Sequence, residues 1–524
     1  MSRSRSVRWE EEADVLVVGY GGAGAVAAIG AHNAGAKVML IEKQPQDTPG
    51  ETRHNPSTRM SGGAWFCPAD PEQARIYLEG MARIGMETLN EERKEMLSAF
   101  ASSLVENTDW LRSIGVEIGG EESVSPTVRS REKLRISQGR IFLADFPELP
   151  GSESAAISWV KVDSKFRGGA ALFKALGEKV QERRIPILWE TPAVHLLTGN
   201  GEIIGIRAMR GGKEINIKAR RGVILSCGGF EFNDWMKENY LRVNPVHFYG
   251  CPASTGDGIK MAMEVGAELW HMNNASWRVT MKIPDWPVAF GTQRHEEATI
   301  FVDRRGKRFT NERVKMHAFG YELINYDCYS MCYPKVPCYW IFDEKRRKLA
   351  PLASYQGICN PPGGVRGDIH YVWSADNLEE IDRGWILKAG TVKELGDKIQ
   401  KDPDNHNLMN PSVLEATVKQ YNEYCRQGED LDFHKPKQWL EPLQDPPYYA
   451  MKLWPGGPNT QGGPKRNVRG QVMHVNGSPI PRLYSAGELG SVWGMLYNVG
   501  GNVGECIAFG RISGTNAASE KRRK

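Results

Sequence analysis

The sequence predicts an α/β fold in which one nucleotide-binding domain is split around an inserted α+β domain. Three observations carry this. An apolar run near the start ends in closely spaced glycines, continues into an Ala-rich stretch, and reaches a second apolar run closed by an acid. Residues 235–445 lose that strand–helix rhythm and gain Trp, Tyr, Pro and charge. The rhythm returns near residue 482.

The first unit covers residues 13–42. Asp14-Val-Leu-Val-Val reads as a strand, Gly19-Tyr-Gly21-Gly22-Ala23-Gly24 as a G-x-G-x-x-G turn, residues 25–34 as a helix, and Val38-Met-Leu-Ile41 as a second strand ending at Glu42. Gly19 allows the tight turn, Gly21 lets the backbone approach a pyrophosphate, and Gly24 lets helix and strand pack closely. The helix N-terminus offers N–H groups to phosphate charge. Glu42 lies 23 residues after Gly19, where an acid accepts hydrogen bonds from both ribose hydroxyls. The motif marks a dinucleotide site and leaves it open between FAD and a nicotinamide.

Further along, residues 71–115 read as helical, with one helix starting at Pro71 and apolar residues at helical spacing from Leu97 to Leu111. Residues 118–165 read as irregular, 169–182 as a helix, and 185–189 as a strand. Residues 193–197, 203–208 and 215–219 are expected to be three short strands joined by Gly-containing turns. Gly222-Val-Ile-Leu-Ser-Cys227 reads as a separate buried strand, and Gly228-Gly229 at its end lets the backbone lie close to a ligand. A last helix is expected from about Asn502 to Ala517.

Composition narrows the function classes. The 524 residues are 40% hydrophobic and 25% charged, with a net charge of +4. Two or three domains with ample core follow from that length. Much of the positive charge lies in terminal runs, which read as solvated tails, and no basic stripe with interleaved aromatics suggests a nucleic-acid partner. No stretch reaches the roughly 18 uninterrupted apolar residues of a membrane span. Basic residues precede Glu10-Glu11-Glu12 without an apolar segment, so no secretory signal is read. The nine cysteines form no C-x-x-C pair, which argues against zinc and for reduced thiols in the cytoplasm.

Several segments, in order along nearly the whole chain, together resemble the FAD-dependent fumarate reductase and succinate dehydrogenase flavoprotein superfamily, which includes the 3-ketosteroid dehydrogenases. They are Gly19–Gly24 with Glu42; Ser57-Thr58-Arg-Met-Ser61-Gly62-Gly63; Leu225-Ser-Cys227-Gly228-Gly229-Phe230; Ser254-Thr-Gly-Asp257-Gly; Gly306-Lys-Arg-Phe-Thr-Asn-Glu312; Thr460-Gln-Gly-Gly463; Tyr484-Ser-Ala-Gly487-Glu488; and residues 500–514. The resemblance implies a Rossmann-like FAD-binding domain over residues 1–234 and 446–524, with an α+β capping or substrate domain over 235–445. It also implies roles. Glu42, with Lys43 beside it, would hold the adenosine ribose. Ser57, Thr58 and Ser61-Gly62-Gly63 would lie along pyrophosphate and isoalloxazine. Val194 would meet the adenine through its backbone. Cys227–Gly229, Asp257, Gly487 and Glu488 would approach the cofactor from later in the chain. Asn502-Val503 would begin a helix aimed at the flavin, whose N-terminus stabilises negative charge on the reduced ring. Some members attach FAD through a His directly before the position of Ser57; that residue here is Pro56, so the FAD is expected to be non-covalent.

Departures from the family pattern bear on the substrate. Dicarboxylate reductases need charges at positions occupied here by Met316, Asn459 and Asn498. The steroid-dehydrogenase branch places a Tyr four residues before a Gly, and Tyr497 and Gly501 match. There the hydroxyl and the Gly N–H bind the substrate carbonyl; removing an α-proton puts charge on that oxygen, which needs preplaced donors. The resemblance thus implies formation or reduction of a C–C double bond beside a carbonyl, with hydride transfer to or from flavin N5. The branch's base falls at Met316, which carries no proton, so His317 and Arg313 are the neighbouring candidates. Trp65, Phe66, Trp270, Trp277, Trp340, Trp454, Trp493 and Tyr497 suggest walls for an apolar ring substrate, against the simpler reading that each ring is core. A quinone or small carrier protein is the expected electron acceptor. Three alternatives stand beside this: an oxidoreductase of a small polar carboxylate using Arg278, Arg294 or Arg313, an electron-transfer flavoprotein subunit, and a nicotinamide-binding protein.

Overall fold

A computed structural model of the chain describes residues 8–523 apart from 50, 121–134, 163–165, 285, 293–297, 314–316 and 357–370. Met316 and Arg294 therefore lie outside the described residues.

The nucleotide-binding half is built on an eight-stranded sheet. Its parallel centre runs Ile187–Leu188, Val38–Ile41, Glu11–Val18, Lys213–Leu225 and Pro479–Ser485, with Gln471–Met473 as an antiparallel edge. The first strand is buried from Ala13 to Val18, as expected of a strand covered on both faces. The helix Gly22–Asn33 follows it, and nearly all of that helix is buried. The final helix, Gly501–Ser519, packs lengthwise on it. Small residues make this possible: a Cβ at Gly510 would stand 2.8 Å from Val26 Cβ.

Residues 213–225 are one strand rather than two. Its first half pairs antiparallel with Glu202–Arg210 and its last residues pair parallel with Pro479–Ser485. Burial switches with the partner, from alternating to continuous, and that switch mimics two strands in the sequence. The segment expected to be irregular contributes three short strands, Arg135–Ser137, Arg140–Phe142 and Ala156–Ser158, to a four-stranded sheet with Trp65–Phe66. Strands of three residues are too short to show a period.

A second eight-stranded sheet carries the capping half. Its middle strand is Tyr448–Gly457, which pairs with Cys338–Phe342, Arg278–Met281, Ile386–Ala389 and His247–Phe248. This sheet runs on past residue 445, to Gly457. Helices Val392–Gln400 and Pro411–Gln427 cover it through Leu395, Ile399, Leu414 and Val418. No helix among the described residues is long and apolar enough to cross a membrane.

Candidate active site

Three neighbouring parallel strands end together, at Val18, Leu225 and Ser485, and the loops leaving them line one groove. Ligands of open α/β sheets bind at such carboxyl ends. Gly19 turns with φ +100°, and a Cβ there would stand 2.6 Å from Ser226 O, so the crossing needs glycine. Gly21, Gly22 and Ala23 line the groove, while Gly24 lies behind it against the Gly19 carbonyl. The Gly22 N–H donates to Thr58 Oγ1 at 3.0 Å, which fixes the Ser57–Met60 turn against the helix start.

Glu42 forms the far end of the groove. Its Oε2 accepts from Tyr20 N at 2.7 Å and its Oε1 from Gln44 N at 2.8 Å. Burial works against its charge, but His54, 3.6 Å away, and the two backbone N–H groups outweigh burial and hold the carboxyl below its ordinary range. Glu42 is therefore a fixed anion. His54 sits among Tyr20, Phe173 and Trp189, at this end of the groove. Lys43 reaches across to Asp257, Nζ to Oδ2 2.6 Å, and both residues line the groove.

A second cavity continues from the first and shares Ser57, Thr58, Glu488 and Cys506 with it. Ser61, Gly62, Gly63, Asn502 and Val503 line it, as do His317 and Tyr497. The Tyr497 hydroxyl lies 2.9 Å from His317 Nδ1. Burial pushes the Tyr497 pKa far up, so the hydroxyl keeps its proton. Asn502 is held by Asn459 and Ser276, its Nδ2 donating to both.

Two buried carboxyls meet at the junction of the cavities. Glu488 Oε1 accepts from Gly229 N at 3.1 Å. Glu231 is fully buried, accepts from Thr460 Oγ1, and leaves Oε1 without a hydrogen bond. Burial raises both carboxyls, and the Glu488 charge raises Glu231 further; burial pushes Glu488 up to about 7, although the Glu231 hydrogen bond and the Gly229 N–H work against that rise.

Most residues singled out in the sequence converge here, with exceptions. Arg313 is exposed and lies over the Trp439 ring at 4.2 Å, away from both cavities. The Gly501 N–H is already donated to Asn498 O at 2.8 Å, and Gly500 faces the cavity instead. Val194 stays outside the groove, whose wall there is Thr191 and Ala193. Gly229 and Gly487 lie behind the lining, whereas Cys227 and Gly228 are in it. Of the aromatic residues expected to wall the substrate cavity, Tyr497 does so, while Trp65, Trp277, Trp340 and Trp493 are core. The apolar walls are Met60, Ala64, Val499 and Val503. Asn498 is buried in a structural network with Tyr77 and Asp145. Sequence reasoning missed His54, Glu231, Cys506 and Tyr249; burial beside an acid or a cavity leaves no local pattern.

The groove fits a dinucleotide by its own chemistry. A fixed carboxylate stands at one end, a glycine turn at the helix start lies between, and a roomy second cavity opens at the other end. The family model described as FAD binding domain matches residues 14–503. The chain is 28% identical to a 3-oxosteroid 1-dehydrogenase of Mycobacterium tuberculosis, over 98% of this chain and 100% of that protein. It is 26% identical to a fumarate reductase (cytochrome) of Shewanella frigidimarina, over 97% of this chain and 78% of that protein. A solved 3-ketosteroid Δ1-dehydrogenase of Sterolibacterium denitrificans, in complex with 1,4-androstadiene-3,17-dione, shares its fold with TM-score 0.78 and 22% identity, covering 97% of this chain and 100% of that one.

Proposed function

This chain belongs to the FAD binding domain family, and on that premise we propose that it forms or reduces a C–C double bond beside a carbonyl in an apolar ring substrate of the 3-ketosteroid kind. Its relatives support the broader class, an FAD-dependent oxidoreductase acting on CH–CH groups. Bound FAD supplies the two-electron redox partner. Glu42 would hold the adenosine ribose, Gly19–Ala23 with Thr58 the pyrophosphate, Glu488 the ribitol, and Ser61–Gly63 with Asn502 and Val503 the ring. Attachment is read as non-covalent, because Pro56 has no nucleophile and His54 is committed to Glu42 at the other end of the groove.

One observation carries the substrate reading: the Tyr497 hydroxyl, backed by His317 at 2.9 Å, lines the cavity that continues from the dinucleotide groove. A buried hydroxyl that keeps its proton is a donor for a carbonyl oxygen, and its hydrogen bond strengthens as that oxygen gains charge. His317 orients it. The Met60, Ala64, Val499 and Val503 walls exclude water from the ring. Anaerobic titration of the FAD-loaded protein with a panel of 3-ketosteroids tests this: at least one member is expected to bleach the flavin, and bleaching by none refutes it. Tyr497→Phe is expected to lower kcat by about 100-fold, the scale of losing one oxyanion donor.

Arg278, 7% exposed, lines the same cavity and favours a second reading, in which a small carboxylate is the substrate. Turnover of fumarate by the protein with reduced viologen would select it.

A further inference from the structure

Dehydrogenation beside a carbonyl needs two groups of opposite character. One gives a hydrogen bond to the oxygen; the other takes the α-proton. Tyr497 with His317 accounts for the first. The cavity wall carries a second hydroxyl, that of Tyr249, which accepts a hydrogen bond from Arg278 Nη1 at 3.0 Å.

The fold builds this pair deliberately. Tyr249 follows the strand His247–Phe248, and its N–H donates to Gly457 O at 3.1 Å. Arg278 opens the strand Arg278–Met281 and pairs with Gly456. The two segments thus flank Gly456-Gly457, where a Cβ at Gly456 would stand 1.7 Å from His247 O. Bare backbone there lets them close in, and the two side chains meet. Tyr249 is fully buried, and the Arg278 guanidinium lies over its ring, 6.0 Å from the centroid, while its Nη1 reaches the hydroxyl. Both pairs act in one space, since Tyr249 and Arg278 each bear electrostatically on Tyr497. The other titratable groups of this cavity are His317, Tyr497, Glu488 and Cys506, and behind it lies Glu231, whose Oε1 would come within 3.6 Å of a Cβ at Gly250.

A guanidinium that hydrogen-bonds a phenol oxygen supports that oxygen once its proton has left. The two cavity hydroxyls therefore differ: Tyr497 bonds the His317 ring and keeps its proton through burial, whereas Tyr249 accepts directly from a permanent cation. We propose that Tyr249, positioned and supported by Arg278, is the base that takes the substrate's α-proton. This rests on the carbonyl-substrate reading above. The Tyr249 oxygen, as its anion, takes the proton; the C–H electron pair becomes the enolate's; and the enolate oxygen rests on the Tyr497 hydroxyl. The step is a proton transfer with no change of oxidation state.

It can be observed apart from the redox step. The FAD-loaded protein is reduced with dithionite, which blocks onward oxidation, and incubated in D2O with the 3-ketosteroid panel. Deuterium entering the α-carbon is read by mass spectrometry. The wild-type protein is expected to exchange with any member that bleaches the oxidised flavin. Tyr249→Phe is expected to lose about 100-fold or more of this exchange, with FAD content and steroid-induced flavin perturbation unchanged. Arg278→Gln is expected to move the rising limb of the exchange–pH profile to higher pH, and Arg278→Lys to restore part of it. Exchange by Tyr249→Phe within about threefold of wild type, in a protein that bleaches normally, overturns the proposal alone. A wild-type protein that neither bleaches nor exchanges with any ketone overturns the substrate reading, and the proposal with it.

Discussion

Replacing Glu42 by Gln tests the dinucleotide end of the site, and its cost follows from counting acceptors. The carboxylate offers two oxygens, one to Tyr20 N and one to Gln44 N. A glutamine amide offers one, so one backbone N–H faces an NH2 group. Losing a charge-assisted bond costs about 1.5–3 kcal/mol, and a stranded buried donor about 1–3 kcal/mol more. Gln44 is only partly buried and has recourse to water, so the amide is expected to keep Tyr20 and release Gln44, near the low end of that range. Those two bonds form without the cofactor, so their loss reads as apoprotein stability; the proposed charge-assisted bond to the ribose, about 1.5–3 kcal/mol, sets the fall in FAD affinity at about 10- to 100-fold, at 1.4 kcal/mol per decade. Flavin fluorescence quenching on titrating apoprotein measures it, with thermal unfolding of the apoprotein separating cofactor loss from fold loss. The pH dependence has a definite sign. The folded carboxyl is held below its ordinary value, so its contribution is complete above that value and is lost as pH falls through the lowered one. The wild-type advantage should thus shrink only on the acid side. Affinity within threefold of wild type at pH 7, or an advantage that shrinks toward alkaline pH, would refute the reasoning.

Three further outcomes are expected. Glu231→Gln should stabilise the apoprotein against heat at alkaline pH and change little in acid. A carboxyl whose pKa is raised by burial costs stability as pH climbs from its ordinary value to the raised one, and the cost is complete above that. Thr58→Val keeps the shape but strands the buried Gly22 N–H, so it should cost about 1–3 kcal/mol, read as a lowered Tm. Arg313→Ala should leave kcat within about twofold, the surface outcome, because the side chain is exposed over Trp439; a large loss would return it to the catalytic machinery.

The dinucleotide end was largely legible because its demands are local. A turn, a helix start and an acid at one spacing are stated within 30 contiguous residues, and backbone geometry enforces each. The substrate end was legible only where a motif lay in one segment, as at Tyr497 and Asn502. Tyr249 and Arg278 are brought together by strand pairing through Gly456, which no window of sequence contains. The Tyr448–Gly457 strand is hard to see for another reason: it contains Pro455 and two glycines, residues that weaken a strand pattern, yet it is the middle of the second sheet. The turn closes the Gly501 N–H onto Asn498, a pairing that depends on three-dimensional loop geometry and leaves no mark in the motif. The aromatic residues went to the core because large rings fill space between layers, and that need outweighs the one at the cavity wall.

The packing of Gly501–Ser519 along Gly22–Asn33 has a consequence for how the molecule is made. The elements of the second sheet all lie between residues 247 and 457, so that sheet can close while translation is still under way. The groove cannot. Its opening strand and helix emerge first and wait, with their small-residue face bare, until the final helix leaves the ribosome. During that interval the nascent chain holds an uncovered apolar surface, the kind that chaperones recognise. Cofactor loading therefore waits for residues 501–519, and a protein lacking them should keep an intact second sheet yet never acquire its flavin.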